Sequence, residues 1–299
     1  MVRALVCGTR GPRFKPESRC HFFHIVRVLA LILAFSANSP ASQADPAQSS
    51  GPAKGSLVVV GGGAVGPEIL DRFFDLADGR DVPLVLIPSA GSKPVYPESW
   101  SGTNLFKKAG ATDVTVLHTR DRAEADSAEF VAPLRRAKAI WFSGGRQWRL
   151  VDAYAGTLTE TEIAAVLDRG GVIGGSSAGA TIQGSYLVRG ARVGNHIMMA
   201  PGYEKGFGYL SNCAIDQHLI ARGRVEDLVS VIRAHTELLG IGIDESTAVV
   251  VQGNQFEVVG KSKVAIYHDK LLDRSDEPPY EWLESGDRFD LRQRTRISE

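Results

Sequence analysis

The chain has 299 residues, 43% of them apolar and 23% charged, with 34 Lys/Arg balanced by 34 Asp/Glu. Such a composition is ordinary for a soluble globular protein of one large domain or two small ones. The charge is unevenly spread: residues 1–44 carry six of the bases and a single acid, so the remainder is mildly acidic and offers no basic surplus for gripping a nucleic-acid backbone.

The first 44 residues read as an address. A basic segment precedes the apolar run Val28–Phe35, and small residues follow through Ala41-Ser42-Gln43-Ala44. Those are the three regions of a secretory signal peptide, and the apolar run is too short to span a bilayer. The competing reading is an uncleaved amphipathic anchor. With export, the expected location is secreted or periplasmic, and no further membrane attachment is expected. Residues 45–55 read as a linker, a main domain is expected over 56–268, and the charge-rich residues 269–299 read as a partly ordered tail. Cys7 and Cys20 fall in the leader. Cys213 sits in Asn-Cys-Ala-Ile215 and reads as a buried strand residue more readily than as a catalytic thiol.

From residue 56, short apolar runs alternate with amphipathic stretches. Strands are expected at Leu57–Val60, Leu84–Ile87, Val114–Leu117, Ala139–Phe142 and Val172–Ile173. Helices are expected over Pro67–Ala77, Ser99–Ala109, Ala123–Ala137 (with a break at Pro133), and Thr159–Arg169, capped by Thr159 or Thr161. This alternation predicts an α/β fold, with a mostly parallel sheet covered by helices on both faces. A helix over Val225–Leu239 would contain His235. From Ile241 the runs crowd together around turns such as Gln252-Gly-Asn254, which predicts antiparallel strands near the C-terminus.

Gly61-Gly-Gly63-Ala-Val-Gly66 matches the dinucleotide fingerprint G-x-G-x-x-G. The second strand ends Leu86-Ile-Pro-Ser89 without the acid a ribose needs, so a tight turn lining a pocket is the better reading. No metal or organic cofactor is expected.

Gly175-Ser-Ser177-Ala-Gly179 is a G-x-S-x-G pattern directly after a strand. It predicts a nucleophile elbow presenting Ser177, with small flanks because the turn is strained. A serine needs a base, usually a histidine oriented by a carboxylate. His218 ends the apolar run Cys213–Gln217, at a strand's carboxyl end where α/β proteins gather their sites. His118 and His235 read as surface groups. Asp244 and Glu245 follow another short strand, and either could orient the histidine. The backbone N–H groups of Ala178 and of the Gly144-Gly145 pair are candidate oxyanion donors, and Gln147 lies within reach of the same pocket.

Four blocks together, Phe142–Leu150, Gly174–Ala180, Ala200–Tyr203 with Ile215–Arg224, and Gly242–Ala248, resemble the cyanophycinase / aspartyl dipeptidase family of serine peptidases over residues 56–268. The resemblance implies a class I glutamine-amidotransferase-like fold and a triad of Ser177, His218 and Glu245. It also implies an oxyanion hole from Ala178 and Gly145, and a substrate pocket shaped by Gln147, Asp216 and Arg224. The implied partner is a peptide or dipeptide substrate with an aspartyl or β-aspartyl residue, and a homodimer is compatible with it. Two departures stand out. Arg146 replaces the acid of the family's Gly-Gly-Asp-Gln, and Asp227 stands where an arginine is often found. The competing assignments are an esterase-type α/β-hydrolase using Ser177, Asp244 and His268, and a catalytically inert binding module on the same scaffold. A cysteine amidotransferase is disfavoured by the serine at the elbow.

Overall fold

A computed structural model describes residues 50–298. The leader expected over 1–44, and the first part of the linker, lie outside the described residues. Among the described residues, no helix is long and apolar enough to cross a membrane.

The first half of the chain alternates largely as the apolar periodicity demands. β1 (Ser56–Val60), α1 (Pro67–Leu76), β2 (Leu84–Ile87), α2 (Thr103–Lys108) and β3 (Val114–Val116) come first. The single helix expected over 123–137 is two short ones, α3 (Arg122–Ala125) and α4 (Ala132–Arg136). Asp121 starts α3 by accepting the Ala123 N–H. Pro133 sits in the first turn of α4, where its missing N–H costs nothing, and so opens a helix that it was expected to break. β4 (Ala139–Phe142), α5 (Gln147–Tyr154), α6 (Leu158–Asp168) and β5 (Val172–Ser176) follow. The residue preceding α6 is Thr157, in extended conformation; Thr159 and Thr161 lie inside the helix and do not cap it.

The remaining elements are α7 (Ala178–Thr181), β6 (Gly184–Tyr186), β7 (Leu210–Gln217), α8 (Asp227–Ala234), β8 (Leu239–Ile243), β9 (Thr247–Gln252), β10 (Gln255–Gly260), β11 (Val264–Tyr267), α9 (Asp269–Leu272), β12 (Glu281–Leu283), β13 (Arg288–Asp290) and β14 (Thr295–Arg296). They build two sheets where the sequence pattern pointed to one. A nine-stranded sheet runs β14-β13-β10-β9-β1-β5-β4-β2-β3, and a five-stranded sheet runs β12-β11-β8-β7-β6. In the larger sheet β1, β5, β4, β2 and β3 are parallel neighbours, and β9, β10, β13 and β14 add antiparallel strands. The smaller sheet is also mixed: β8 was expected to begin the antiparallel finish, yet it pairs parallel with β7 and antiparallel with β11.

The strand pleat sorts side chains into layers. Val58 and Val60 of β1 face Ile69 and Phe73 of α1 together with Trp141. Leu57 and Val59 face the other way, into a core shared with Ile215, Ile241, Ile243 and Ile266 of the smaller sheet. The outer face of that second sheet is covered by Leu228, Val231 and Ile232 of α8. Each such fully buried side chain contributes about 1.5–3 kcal/mol by leaving water.

The charged C-terminal segment read as a tail is built into the fold. Phe289 pairs opposite Phe256, stacks on it at 5.2 Å and is fully buried, while β12 edges the smaller sheet. The expected linker is anchored too, since Ser50 and Ser211 exchange backbone hydrogen bonds.

Candidate active site

Gly61, Ala90, Gly144 and Ser177 all lie just beyond the carboxyl ends of parallel strands β1, β2, β4 and β5. Parallel strands gather those four loops on one edge of the larger sheet. His218 and Asp244-Glu245 follow β7 and β8, the parallel pair of the smaller sheet. The site forms where these loops meet.

Ser177 occupies a left-handed backbone conformation with φ 57° and ψ −114°, unusual for any residue with a Cβ. Its N–H is tied to the Val60 carbonyl at 3.0 Å, which fixes the elbow to β1. The flanking glycines are required by close approach: a Cβ on Gly175 would lie 2.3 Å from the Gly179 carbonyl oxygen, and one on Gly179 would lie 2.2 Å from that of Phe142.

Ser177 Oγ is 2.8 Å from His218 Nε2, and His218 Nδ1 is 2.5 Å from Glu245 Oε1. His218 is itself left-handed at φ 56°, as is Ser246, next to Glu245, at φ 54°. Backbone strain thus collects at all three corners of the constellation. Burial holds the imidazole pKa below its ordinary value, and Glu245 only partly offsets this; Arg222 and Arg224 push the same way as burial. The ring is therefore mostly neutral at neutral pH and ready to accept a proton.

The two adjacent carboxylates have separate duties. Asp244 accepts the Ile220 and Ala221 N–H groups at 2.9 Å each, and the Ser262 hydroxyl at 2.7 Å. It fastens the turn that follows His218. Burial raises its pKa, but those hydrogen bonds outweigh burial and leave it lowered. His268 stands elsewhere, its buried Nδ1 without a hydrogen-bond partner and 3.7 Å from Asp269. The hydrolase assignment of Ser177, Asp244 and His268 is therefore not assembled.

The glycine turn that mimics a nucleotide motif encloses this constellation. The Gly61 carbonyl accepts the His218 N–H and the Gly62 carbonyl accepts the Ser246 N–H, both at 2.8 Å. Gly62 has φ 127°, and a Cβ there would lie 2.2 Å from His218 Cε1. No acid at the end of β2 hinted at this. The signal was the strand-to-turn run of glycines itself, whose purpose depends on two distant loops.

Gly144 and Gly145 are exposed on the serine side, and a Cβ on Gly144 would lie 3.3 Å from Ser177 Cβ. Gly145 has φ 151°, and its backbone packs against the Ala90 carbonyl. Ala178 opens α7, so its N–H belongs to the first turn, where no intrahelical acceptor exists. Gln147 is buried at the start of α5, its Nε2 without a partner among the described residues. Arg224 is buried and donates to the Gln217 carbonyl and side-chain oxygens at 3.1 Å.

Asp216 does not reach into the pocket as a free substrate contact. Its two oxygens take Arg189 Nε and Nη2 at 2.7 Å each, and both side chains are essentially fully buried. Arg189 Nη2 also meets Asp227 at 2.6 Å. Burial lowers the Arg189 pKa, and the two carboxylates more than reverse this. Asp227, the unexpected acid, is thus a partly exposed second carboxylate on the buried Arg189 guanidinium. Arg189 itself carried no sequence signal, because a lone arginine in Leu187-Val-Arg-Gly190 fits no motif and its partners lie far downstream. Cys213 is buried in β7, as the apolar residues that follow it predicted. His118 bonds to Ser89 at 2.7 Å, and His235 lies just beyond α8 against Tyr186. Among the described residues, no group of three His, Cys, Asp or Glu side chains is placed to hold a metal.

Residues 57–259 match the family model for peptidase family S51. The chain belongs to peptidase family S51. A cyanophycinase from Geminocystis herdmanii is 34% identical over 226 residues, covering 73% of this chain and 82% of the relative. One from a Nostoc species is 31% identical over 267 residues, covering 81% and 87%. The crystal structure of a peptidase from an acI-B1 Actinobacterium superposes with a TM-score of 0.58 at 26% identity, covering 79% of this chain and 97% of that one. A putative peptidase E protein from Listeria monocytogenes shares the fold, with a TM-score of 0.52 at 15% identity. The S51 assignment makes the protein a peptidase of a serine-type family.

Proposed function

We propose that this S51 member is an exported serine peptidase that cleaves an amide bond next to an aspartyl or β-aspartyl residue, as its likeness to cyanophycinases implies. The single observation that carries the catalytic reading is the unbroken hydrogen-bond chain from Ser177 Oγ through His218 to Glu245. Ser177 Oγ attacks the carbonyl carbon as His218 Nε2 takes its proton, and the carbonyl π pair moves onto oxygen. Glu245, on Nδ1–H, stabilises the imidazolium. The Ala178 and Gly145 N–H groups receive the oxyanion. The imidazolium then gives its proton to the leaving amine as the C–N bond breaks. Water, deprotonated by the same imidazole, releases the acid from the serine ester. Gln147 and Arg224 line the substrate side, and Asp216 shapes it through Arg189. The parallel core with its serine after β5 supports the amidotransferase-like class that the resemblance implies, and the basic-then-apolar N-terminal sequence supports export.

The test is a cleavage panel with the purified enzyme: α-aspartyl dipeptides, β-aspartyl dipeptides and arginyl-polyaspartate, each with a Ser177→Ala control. Release of aspartate or of an aspartyl-arginine dipeptide, abolished in the control, is expected. Hydrolysis of neutral dipeptides alone, with all aspartyl substrates untouched, overturns the substrate class.

A further inference from the structure

A second polar site adjoins the first and takes no part in the chemistry above. A cavity of about 360 Å³ is lined by Ser92, Arg120, Trp148, Arg149, Asp152 and Ala153. It starts one peptide beyond the candidate oxyanion loop: Gly145 packs on the Ala90 carbonyl, and Arg149 Nη1 bonds that same carbonyl at 3.0 Å. Arg120 Nη2 holds the next carbonyl, that of Gly91, at 2.6 Å.

The lining has a positive excess, and two further guanidinium groups stand beside it. Trp148 lies between two guanidinium groups, Arg149 and Arg192, each 5.1 Å from its ring. Arg146 follows Gly145 directly and donates to the Ala191 carbonyl at 2.6 Å. The lining itself holds two arginines, Arg120 and Arg149, against one acid, Asp152, which is already bonded by Arg192 Nη2 at 2.6 Å and by the Tyr203 hydroxyl at 2.8 Å. The hydrogen bonds of Arg120, Arg146 and Arg149 go to carbonyls and not to carboxylates. Burial, then the charges of Arg120 and Arg146, hold the Arg149 pKa below its ordinary value. Like charges without acidic partners kept together beside the Gly144-Gly145 loop are the arrangement expected where a ligand brings the opposite charge.

We propose that this arginine–tryptophan cavity is a subsite for a carboxylate of the peptide substrate outside the residue being cleaved, so that the enzyme favours chains bearing several acidic groups over single aspartyl dipeptides. The proposal rests on Ser177 marking the cleavage point. A peptide residue advances the chain by up to about 3.5 Å, and the Gly144–Gly145 loop that meets Ser177 also meets, through the Ala90 carbonyl, the arginines of this cavity.

Binding is measured on full-length Ser177→Ala protein, by fluorescence anisotropy with labelled tetra-aspartate and tetra-asparagine. Tetra-aspartate is expected to bind at least about tenfold more tightly at low salt, with the gap closing as salt rises. Arg120→Glu tests the location: it is expected to weaken tetra-aspartate and to tighten a tetra-lysine probe, a reversal that loop damage cannot produce. Equal binding of both peptides, or Arg120→Glu weakening every probe alike, overturns the subsite. Because binding is read without turnover, a Ser177→Ala protein that still hydrolyses peptides would refute the nucleophile and leave the subsite separately judged.

Discussion

Two polar clusters stand side by side, one at the end of β7 and one just after it, and behave in opposite ways. His218 reaches Ser177 and Glu245, while Asp216, two residues earlier, holds Arg189 and through it Asp227. Strand alternation would aim Asp216 and His218 to the same side. The left-handed turn at His218 redirects its ring toward Gly62 and Ser177 instead. The first cluster keeps a neutral base on strained backbone, with Glu245 about one-third exposed. The second is built on a bidentate, fully buried Arg189–Asp216 pair, with Asp227 meeting the same guanidinium from a half-exposed position. Proton transfer needs a group that can change charge cheaply, whereas a buried ion pair is costly to alter in either partner. One cluster is held in place by backbone and glycine packing, the other by charge.

The largest separation between them is expected from Ser177→Ala, which should lower kcat by about 10⁶ and leave the melting temperature nearly unchanged. Glu245→Gln should lower kcat by about 10⁴, since it keeps the shape but loses the charge that steadies the imidazolium. Retention of full activity in Glu245→Gln would place the orienting acid elsewhere. Gly62→Ala should cost about 10²-fold in kcat by displacing the His218 ring, with KM little affected. Normal turnover in that variant would mean the ring has room that the 2.2 Å approach denies.

Asp216→Asn should show the converse. Leaving Arg189 under-compensated should cost about 3 kcal/mol, or on the order of 10 °C in melting temperature, with kcat of the folded enzyme within about threefold. A raised KM with unchanged stability would return Asp216 to substrate contact. The smallest effect is on pH dependence. Only neutral His218 accepts a proton, so kcat/KM should fall as pH drops through its pKa, which lies below the usual 6.5. Removing the Glu245 charge should move this limb lower still, because that carboxylate raises the pKa. A limb at or above 6.5 would contradict the burial argument.

Much of the site was legible because its signals are local. The elbow at Gly175–Gly179 and the histidine ending Cys213–His218 each announce themselves within a few residues. Which of Asp244 and Glu245 meets the imidazole depends on backbone direction, and without the family resemblance the two were equivalent. The parallel core was readable from continuous apolar runs, but its division into two sheets was not: pairing is a long-range choice that leaves no mark on a strand's own sequence. The C-terminal strands escaped for a related reason. Three residues such as Arg288-Phe-Asp290 are too few to show alternation, and their burial rests on the single stacked pair Phe256 and Phe289. Arg189 was invisible because a buried arginine is recognisable only by the acids that surround it.

The central claim is that Ser177 is made nucleophilic by His218. A fluorophosphonate probe followed by peptide mass spectrometry tests it directly. A single adduct on Ser177 is predicted, absent in Ser177→Ala, slowed by orders of magnitude in His218→Ala and unaffected in His268→Ala. An adduct on another residue, or labelling of Ser177 at full rate without His218, would contradict it.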